Sequence, residues 1–174
     1  MQVRSALTWW MTGLPGSGKT TLATALAEQL RSQGQMSCVL DGDALRAGVC
    51  ADLGFSEADR ERNVTRVAHL AQLLNQQGIH ALVALVSPSA PARAAARGIV
   101  GEAAFREVHL SAPLAVCEAR DPKGLYARSR AGQLANMTGV QAEYDIPATP
   151  HARIDSSRCS VAEAVQQLLR AQIL

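Results

Sequence analysis

A glycine-rich segment near the start of the chain limits the possible folds more than any other feature of the sequence. It matches the pattern G-x-x-x-x-G-K-[ST] in full and reads Gly13-Leu14-Pro15-Gly16-Ser17-Gly18-Lys19-Thr20. A compact apolar run, residues 6–12, comes before it, and residues 19–33 after it carry helical spacing. Because strand, loop and helix follow in the order that cradles phosphate groups, the sequence predicts a nucleoside triphosphate site.

Each part of this loop has a chemical role in holding ATP. Glycines let successive N–H groups turn towards a phosphate without a Cβ in the way, and the helix N-terminus adds its partial positive charge. We expect Lys19 to reach the β- and γ-phosphates as a point charge, and the Thr20 hydroxyl to ligate Mg²⁺. The predicted ATP contacts are Gly13, Leu14, Pro15, Gly16, Ser17, Gly18, Lys19, Thr20 and the adjacent Thr21.

Composition is typical of a single globular domain and disfavours several other classes. The chain has 174 residues, 48% of them hydrophobic and 18% charged, which predicts one domain over 1–174. A net charge of +2 without a block of like charges disfavours nucleic-acid binding. The longest apolar stretch, 79–86, is too short to span a membrane. Widely spaced cysteines without a C-x-x-C motif predict free thiols and a cytoplasmic protein.

Short apolar runs alternate with longer amphipathic stretches along the chain. The runs predict strands at 6–12, 36–40, 81–86, 105–110 and 152–155, with helices between them and a last helix after Ser160. Residues 121–150 are rich in glycine and proline and have no sustained periodicity, which predicts a long functional loop, the lid. The fold class is therefore α/β, a three-layer P-loop NTPase-type domain with a mainly parallel five-stranded sheet.

Carboxylates follow the second predicted strand, as Asp41-Gly42-Asp43. In an open parallel sheet this position shares the carboxyl edge with the phosphate loop. Motor and switch NTPases usually end their third strand in Asp, whereas here that strand ends in Val86-Ser87-Pro88. Two acids beside Mg-ATP suit a kinase, in which one of them orients or deprotonates an acceptor hydroxyl.

Further motifs in the same order resemble those of the adenylylsulfate kinase family, from about residue 6 to 150. The matching segments are Leu40-Asp41-Gly42-Asp43-Ala44-Leu45-Arg46, Leu53-Gly54-Phe55-Ser56, Asp59-Arg60-Glu61-Arg62-Asn63, Ser87-Pro88, Cys117-Glu118-Ala119-Arg120-Asp121-Pro122-Lys123-Gly124-Leu125-Tyr126, Arg130-Ala131-Gly132 and Thr138-Gly139. The phosphate loop alone is unspecific, but these segments together are highly specific.

The resemblance implies transfer of a phosphoryl group from MgATP to the 3′-hydroxyl of adenosine 5′-phosphosulfate, giving the 3′-phosphorylated sulfate donor and ADP. It implies small-molecule substrates and a homodimer, while the composition disfavours a membrane or nucleic-acid partner. The implied catalytic residues are Lys19, Asp41, Asp43 and Ser87. Among these, Asp43 is our preferred base, and Ser87 matches a serine described in the family as a phosphorylated intermediate, which direct in-line transfer does not require.

The remaining implied contacts surround the two substrates. Arg46, Arg60 and Asn63 would hold the phosphosulfate and ribose, since guanidinium forks suit such groups. Phe55 would stack on the substrate adenine, with Met137 on its other side. Lys123, Arg128 and Arg130 lie in the lid, Lys123 as a substrate contact and Arg128 as an ATP contact. Lys19 and Lys123 are the only lysines in a chain that otherwise uses arginine.

Three positions depart from the family pattern and lie around the expected acceptor. Ser89 stands where the family typically has an aromatic residue, Met137 where it has Phe, and Gln141 where it has Asp. Phosphoryl transfer is well supported, but two alternatives stay open. The chain is a related kinase of another small hydroxyl compound, or a nucleotide-binding regulatory domain.

Overall fold

A computed structural model describes residues 5–171 of the chain. The strands are β1 Thr8–Gly13, β2 Ser37–Asp41, β3 His80–Ala84, β4 Phe105–Leu110 and β5 Ala152–Ile154. The helices are α1 Lys19–Ser32, α2 Gly42–Arg46, α3 Glu57–Gln76, α4 Ala90–Val100, α5 Leu114–Arg120, α6 Leu125–Arg130 and α7 Val161–Ala171.

The five strands form one parallel sheet in the order β2-β3-β1-β4-β5. The predicted α/β class with a five-stranded parallel sheet is therefore confirmed. Strands β2 and β3 lie on one side of β1, and β4 and β5 lie on the other, so the strand order reverses direction at β1. Ligands of open α/β sheets bind beside the carboxyl ends of strands at such a reversal.

Helices cover both faces of the sheet, and β1 shows why its sequence is apolar throughout. Successive side chains of a strand point to opposite faces. Trp9 packs in the cluster that α1 and α7 form on one face, and Trp10 packs against α3 and α4 on the other. The two indoles are 1% and 0% exposed. A strand buried on both faces has no solvent side, so it shows no polar alternation.

Two helix starts follow the capping signals in the sequence. The Ser56 hydroxyl accepts a hydrogen bond from the Asp59 N–H at 3.2 Å, and α3 begins at the next residue. At α7, the Ser160 hydroxyl and the Glu163 backbone N–H are 3.3 Å apart, while the Glu163 carboxylate accepts the Ser160 N–H at 2.8 Å. Both arrangements satisfy backbone donors that a helix N-terminus leaves unpaired.

The structure differs from the prediction in three places. The short helix α2 follows β2 directly and was not predicted, because it has too few residues for a periodic pattern. Helix α6 lies inside the predicted loop 121–150, because the Asp121 carboxylate accepts the N–H groups of Tyr126 and Ala127 at 3.1 and 3.0 Å. The helical spacing after Ser160 predicts that Val161 faces inward, but it is 43% exposed at the start of α7.

The cysteines and the helix lengths agree with expectation. All four cysteines are free thiols, and Cys50 and Cys117 are buried. Over residues 5–171, the helices are all too short or too polar to cross a bilayer.

Candidate active site

A cavity of about 720 Å³ lies at the carboxyl edge of the sheet. The phosphate loop forms its floor, α2 and α3 form one wall, and residues 120–126 and 134–138 form another. Lys19 and Lys123, the two lysines of the chain, both line it. The predicted site residues that line it together are Asp41, Asp43, Arg46, Phe55, Arg60, Asn63, Ser87, Lys123 and Met137.

The phosphate loop needs glycine where other backbone approaches it closely. A Cβ on Gly13 would lie 2.6 Å from the Leu110 carbonyl oxygen, and one on Gly16 would lie 2.8 Å from that of Cys117. Gly16 also has a φ of +76°, which disfavours other residues. The loop is therefore held between β4 and α5, and its backbone curves around the Lys19 side chain.

Lys19 lies almost wholly inside this loop. Its Nζ donates to the carbonyl oxygens of Gly13 and Leu14 at 2.9 and 2.8 Å. Burial lowers the pKa of Lys19 to about 8, because desolvation disfavours the charged form. An anionic ligand beside the ammonium would favour the charged form, so the site is suited to bind phosphate.

Thr20 and Asp41 bring two oxygen ligands together at the mouth of the loop. The Thr20 hydroxyl donates to Asp41 Oδ2 at 2.7 Å. Asp41 Oδ1 accepts the N–H groups of Asp43 and Ala44 at 3.0 and 3.2 Å, which caps α2. Both oxygens of Asp41 thus have partners within the fold. Hard oxygen ligands of this kind fit Mg²⁺, which usually keeps water and phosphate oxygens as its other ligands.

Asp43 is the freer carboxylate of the pair. Its side chain is 68% exposed and forms an ion pair with Lys123. Lys123 comes from the segment after α5, so the contact joins the lid to α2, directly after β2. The second lysine of the chain therefore faces the cavity, as expected, and its ammonium lies beside the carboxylate predicted to act as the base.

Phe55 is exposed at the cavity and is not a core aromatic, since 60% of it is accessible. The Arg46 guanidinium carbon lies 4.3 Å from the ring centroid. Arg46 itself is fixed by donating to the carbonyl oxygens of Leu53 and Gly54 at 3.1 and 2.9 Å. The Arg60 guanidinium carbon lies 5.9 Å from the same centroid, so two cations lie beside a ring that stays exposed and can stack on a planar ligand.

Arg60 ties the far wall of the cavity to α3. Its guanidinium donates to the Thr138 hydroxyl at 3.0 Å and to the Asn136 carbonyl at 2.8 Å. These residues flank Met137, which is 4% exposed and lines the cavity. Arg60 therefore fixes the position of Met137 as well as lining the site.

Asn63 and Ser87 are the two polar residues predicted to contact the acceptor that are buried. Asn63 Oδ1 has no hydrogen-bond partner within residues 5–171, so a cavity ligand could supply one. The Ser87 hydroxyl accepts the Trp10 indole N–H at 3.1 Å, and its backbone has a φ of +39°. Ser87 is 4% exposed, which gives its hydroxyl little freedom to leave that contact.

The nucleotide side of the cavity includes residues that the sequence did not single out. Arg120 donates to the Ser156 hydroxyl at 2.9 Å, and that hydroxyl donates to the Ser17 carbonyl at 2.7 Å. Arg120 and Ser156 line the cavity with Cys159 and Val161. The position of Arg120 directly before the D-P-K-G segment could have indicated its place in the site. Ser156 belongs to no motif, so the sequence offers no signal for it.

Some predicted ATP contacts lie outside the cavity lining. Gly13, Leu14 and Ser17 are behind the loop surface, although the Lys19 ammonium contacts all three. Arg128 lies on the exposed side of α6, so the structure gives its predicted ATP contact no support. Arg130, on the same helix, pairs with Glu118 at 2.9 Å.

A parallel α/β sheet with this phosphate loop, and with its acidic pair after β2, defines a P-loop kinase. The adenylylsulphate kinase family model matches residues 5–155. An adenylyl-sulfate kinase of Paraburkholderia xenovorans is 52% identical over 92% of this chain and 89% of its own length. The chain belongs to the adenylylsulphate kinase family.

Solved structures agree with this assignment. An APS kinase of Mycobacterium tuberculosis in complex with AMPPNP and APS superposes with a TM-score of 0.94, at 42% identity over 98% of this chain and 99% of that one. A hexameric APS kinase from Thiobacillus denitrificans gives a TM-score of 0.70 at 31% identity, over 97% of this chain and 29% of that one.

Proposed function

We propose that this kinase transfers the γ-phosphoryl group of ATP to the 3′-hydroxyl of adenosine 5′-phosphosulfate. The observation that carries the proposal is the single cavity shared by the phosphate loop and the acidic pair. The same cavity presents the exposed ring of Phe55 and the amide oxygen of Asn63, which has no hydrogen-bond partner within residues 5–171. The solved relative from Mycobacterium tuberculosis holds an ATP analogue and APS, which supports this pair of substrates.

The two aspartates divide the chemistry because their surroundings differ. Asp41 uses both oxygens within the fold, whereas Asp43 is exposed and close to Lys123. We assign Asp43 as the group that accepts the proton of the 3′-hydroxyl. The acceptor oxygen then forms its bond to the γ-phosphorus as the bond to the β–γ bridging oxygen breaks, and ADP leaves. Lys19 offsets charge on the transferring group.

Aromatic and polar side chains are assigned to the acceptor. The exposed ring of Phe55 stacks on its adenine, and Met137 packs on the other side through its polarizable sulfur. Arg46 and Arg60 add positive charge around the phosphosulfate, and Asn63 bonds the ribose. Ser87 contributes to the wall and not a covalent intermediate, because its hydroxyl is buried against Trp10.

The proposal includes Mg²⁺ with ATP as the co-substrate. Thr20 and Asp41 would hold the ion, which supplies positive charge to the β- and γ-phosphates. The chain acts as a single kinase domain over 1–174 with its lid at about 121–150. We further propose a cytoplasmic homodimer, although assembly varies in the family, as the hexameric relative illustrates.

An ADP-release assay decides between the candidate functions. Adenosine 5′-phosphosulfate is run beside a panel of nucleosides, nucleotides and sugars, with MgATP in each case. We expect turnover with the phosphosulfate at a much higher kcat/KM than with the panel. Turnover with a different acceptor alone would favour the related-kinase alternative, and ATP binding without any turnover would favour a regulatory domain.

Met137→Phe is expected to lower the KM for adenosine 5′-phosphosulfate by about threefold or more. A ring would replace the thioether opposite Phe55, and stacking on an aromatic is worth ~1–3 kcal/mol per base in nucleic-acid sites. Initial rates at varied acceptor concentration measure the change, and the KM for ATP serves as the internal control. An unchanged or higher acceptor KM would place Met137 away from the adenine.

ATP binding is expected to take up a proton above pH 8. The pKa of Lys19 is about 8 in the free protein, so its ammonium is mostly neutral at pH 9. A triphosphate beside it raises that pKa, and affinity should therefore fall about tenfold between pH 7 and pH 9. Titration calorimetry with a non-hydrolysable ATP analogue, in buffers of different ionisation enthalpy, measures the uptake.

The matched control for this titration is Arg31→Met, which removes an exposed cation from the last turn of α1 and is expected to keep the uptake. Lys19→Met is expected to lose it. Equal proton balance at pH 7 and pH 9 in the wild-type protein would contradict the depressed pKa of Lys19.

A further inference from the structure

Arg93 is a buried arginine that the reaction described above does not use. It lies on α4 and is 3% exposed. Its Nε donates to Glu107 Oε1 at 2.9 Å, and Arg97 donates to the other oxygen of Glu107 at 3.2 Å. Burying an ion pair is weak evidence for a stabilising role, because desolvation offsets the attraction. The remaining contacts of Arg93 indicate what else it does.

The Arg93 guanidinium holds two separate segments of backbone. Nη1 donates to the carbonyl oxygens of Ser87 and Pro88 at 2.7 and 3.1 Å. Nη2 donates to the carbonyl oxygen of Asp145 at 2.6 Å. Ser87 and Pro88 line the cavity, and Asp145 lies near the end of the lid region. One side chain therefore joins the wall of the acceptor site to the base of the lid.

Other contacts bind the same two segments to each other. The Asp145 N–H donates to the Pro88 carbonyl at 2.9 Å, and the Asp145 carboxylate accepts the Ala90 N–H at 2.8 Å. Beside them, the Tyr144 hydroxyl lies 2.9 Å from the Thr12 hydroxyl at the end of β1. The lid base is thus fixed to the strand that leads into the phosphate loop.

Ser87 requires this support because its backbone is strained. A φ of +39° is uncommon for a residue other than glycine and persists only where surrounding contacts enforce it. The Arg93 bond to its carbonyl and the Trp10 bond to its hydroxyl are two such contacts. Both hold Ser87 in the orientation that shapes the cavity wall.

We propose that Arg93 is a positioning residue for the acceptor. It fixes the Ser87-Pro88 wall relative to the base of the lid, and it does not touch the substrate. This inference rests on the proposed function, since it concerns the adenosine 5′-phosphosulfate half of the cavity. Arginine suits the task because its rigid fork reaches several carbonyls at once, which a lysine ammonium on a flexible stem does not.

The test compares two identical substitutions on one helix face. Arg93→Lys keeps a positive charge for Glu107 and loses the forked contacts to the loop. Arg97→Lys, one turn further along α4, changes the ion pair with the same Glu107 carboxylate but removes no contact to Ser87, Pro88 or Asp145. We expect Arg93→Lys to raise the KM for adenosine 5′-phosphosulfate about tenfold, because small displacements of positioning groups are costly. Its KM for ATP should stay within about twofold, and Arg97→Lys should match the wild type.

Other results would overturn the inference. An unchanged acceptor KM in a folded Arg93→Lys protein would overturn it. An equal rise in both KM values would also overturn it, because it indicates a general structural role. The inference would also be overturned if Arg93→Lys and Arg97→Lys had the same KM values for both substrates.

If Arg93→Lys does not fold, Arg93→Met decides the matter. It keeps an unbranched side chain and removes every bond to the Ser87, Pro88 and Asp145 carbonyls, while Glu107 keeps Arg97 as a partner. A rise in acceptor KM alone supports the inference, and an unchanged value overturns it. Absence of wild-type turnover with the phosphosulfate would show instead that the proposed function is wrong, and the inference would fall with it.

Discussion

Lys19→Ala is expected to lower the rate of phosphoryl transfer by about 10³-fold or more, because it removes a preorganised charge that acts on the transferring phosphate. The ammonium lies inside the loop, where it donates to the carbonyl oxygens of Gly13 and Leu14. Rates at saturating ATP and acceptor measure the effect. Arg31→Ala, an exposed cation in the last turn of the same helix, is the control and should leave the rate unchanged.

Stability measurements separate this effect from unfolding. Burial lowers the pKa of Lys19, so its charge is disfavoured in the folded protein at neutral pH, and alanine removes that unfavourable term. We therefore expect Lys19→Ala to unfold at a temperature no lower than the wild type. A folded variant with near-normal rates would refute the assignment of the phosphate loop.

Asp43→Asn is expected to lower kcat by about 10²- to 10⁴-fold, with both KM values changed only a few-fold, because it removes a general base while keeping the side-chain shape. Asp52→Asn is the matched control. Asp52 is also an exposed carboxylate in an ion pair, with Arg66 at 2.6 Å, but it does not line the cavity. Such surface pairs contribute little, so the control should behave as the wild type.

Asp41→Asn distinguishes the two aspartates. It alters the partner of Thr20 and the cap of α2, so we expect its main effect on ATP and Mg²⁺. A large loss of kcat in Asp41→Asn together with a near-normal Asp43→Asn would reverse the roles assigned to the two carboxylates.

Features that depend on neighbouring residues could be predicted from the sequence. The strand before the phosphate loop, the capped start of α3 and the buried face of α3 follow from spacing over a few residues. Short or irregular elements were missed because they have no regular spacing of apolar residues. Helix α6 depends on the Asp121 carboxylate, whose bonds to Tyr126 and Ala127 leave no periodic signal.

The family resemblance favours Asp43 as the base, but the sequence does not show the physical difference between the two aspartates. This difference depends on Thr20, which is distant in sequence and satisfies Asp41, and on Lys123, which comes from the lid to Asp43. Such contacts join residues about 20 and 80 positions apart. Only the folding of the sheet brings them together.

The sequence by itself determined the phosphate loop, the parallel α/β fold and the family, because each rests on residue types at fixed local spacing. The tertiary structure decided which carboxylate is free, which arginines line the cavity and which support it from behind. Arg93 and Arg128 illustrate the difference. A buried guanidinium reaches the acceptor wall from α4, while the arginine predicted to bind ATP lies exposed on α6. Whether an arginine is buried behind the cavity wall or exposed to solvent depends on packing between segments that are distant in sequence.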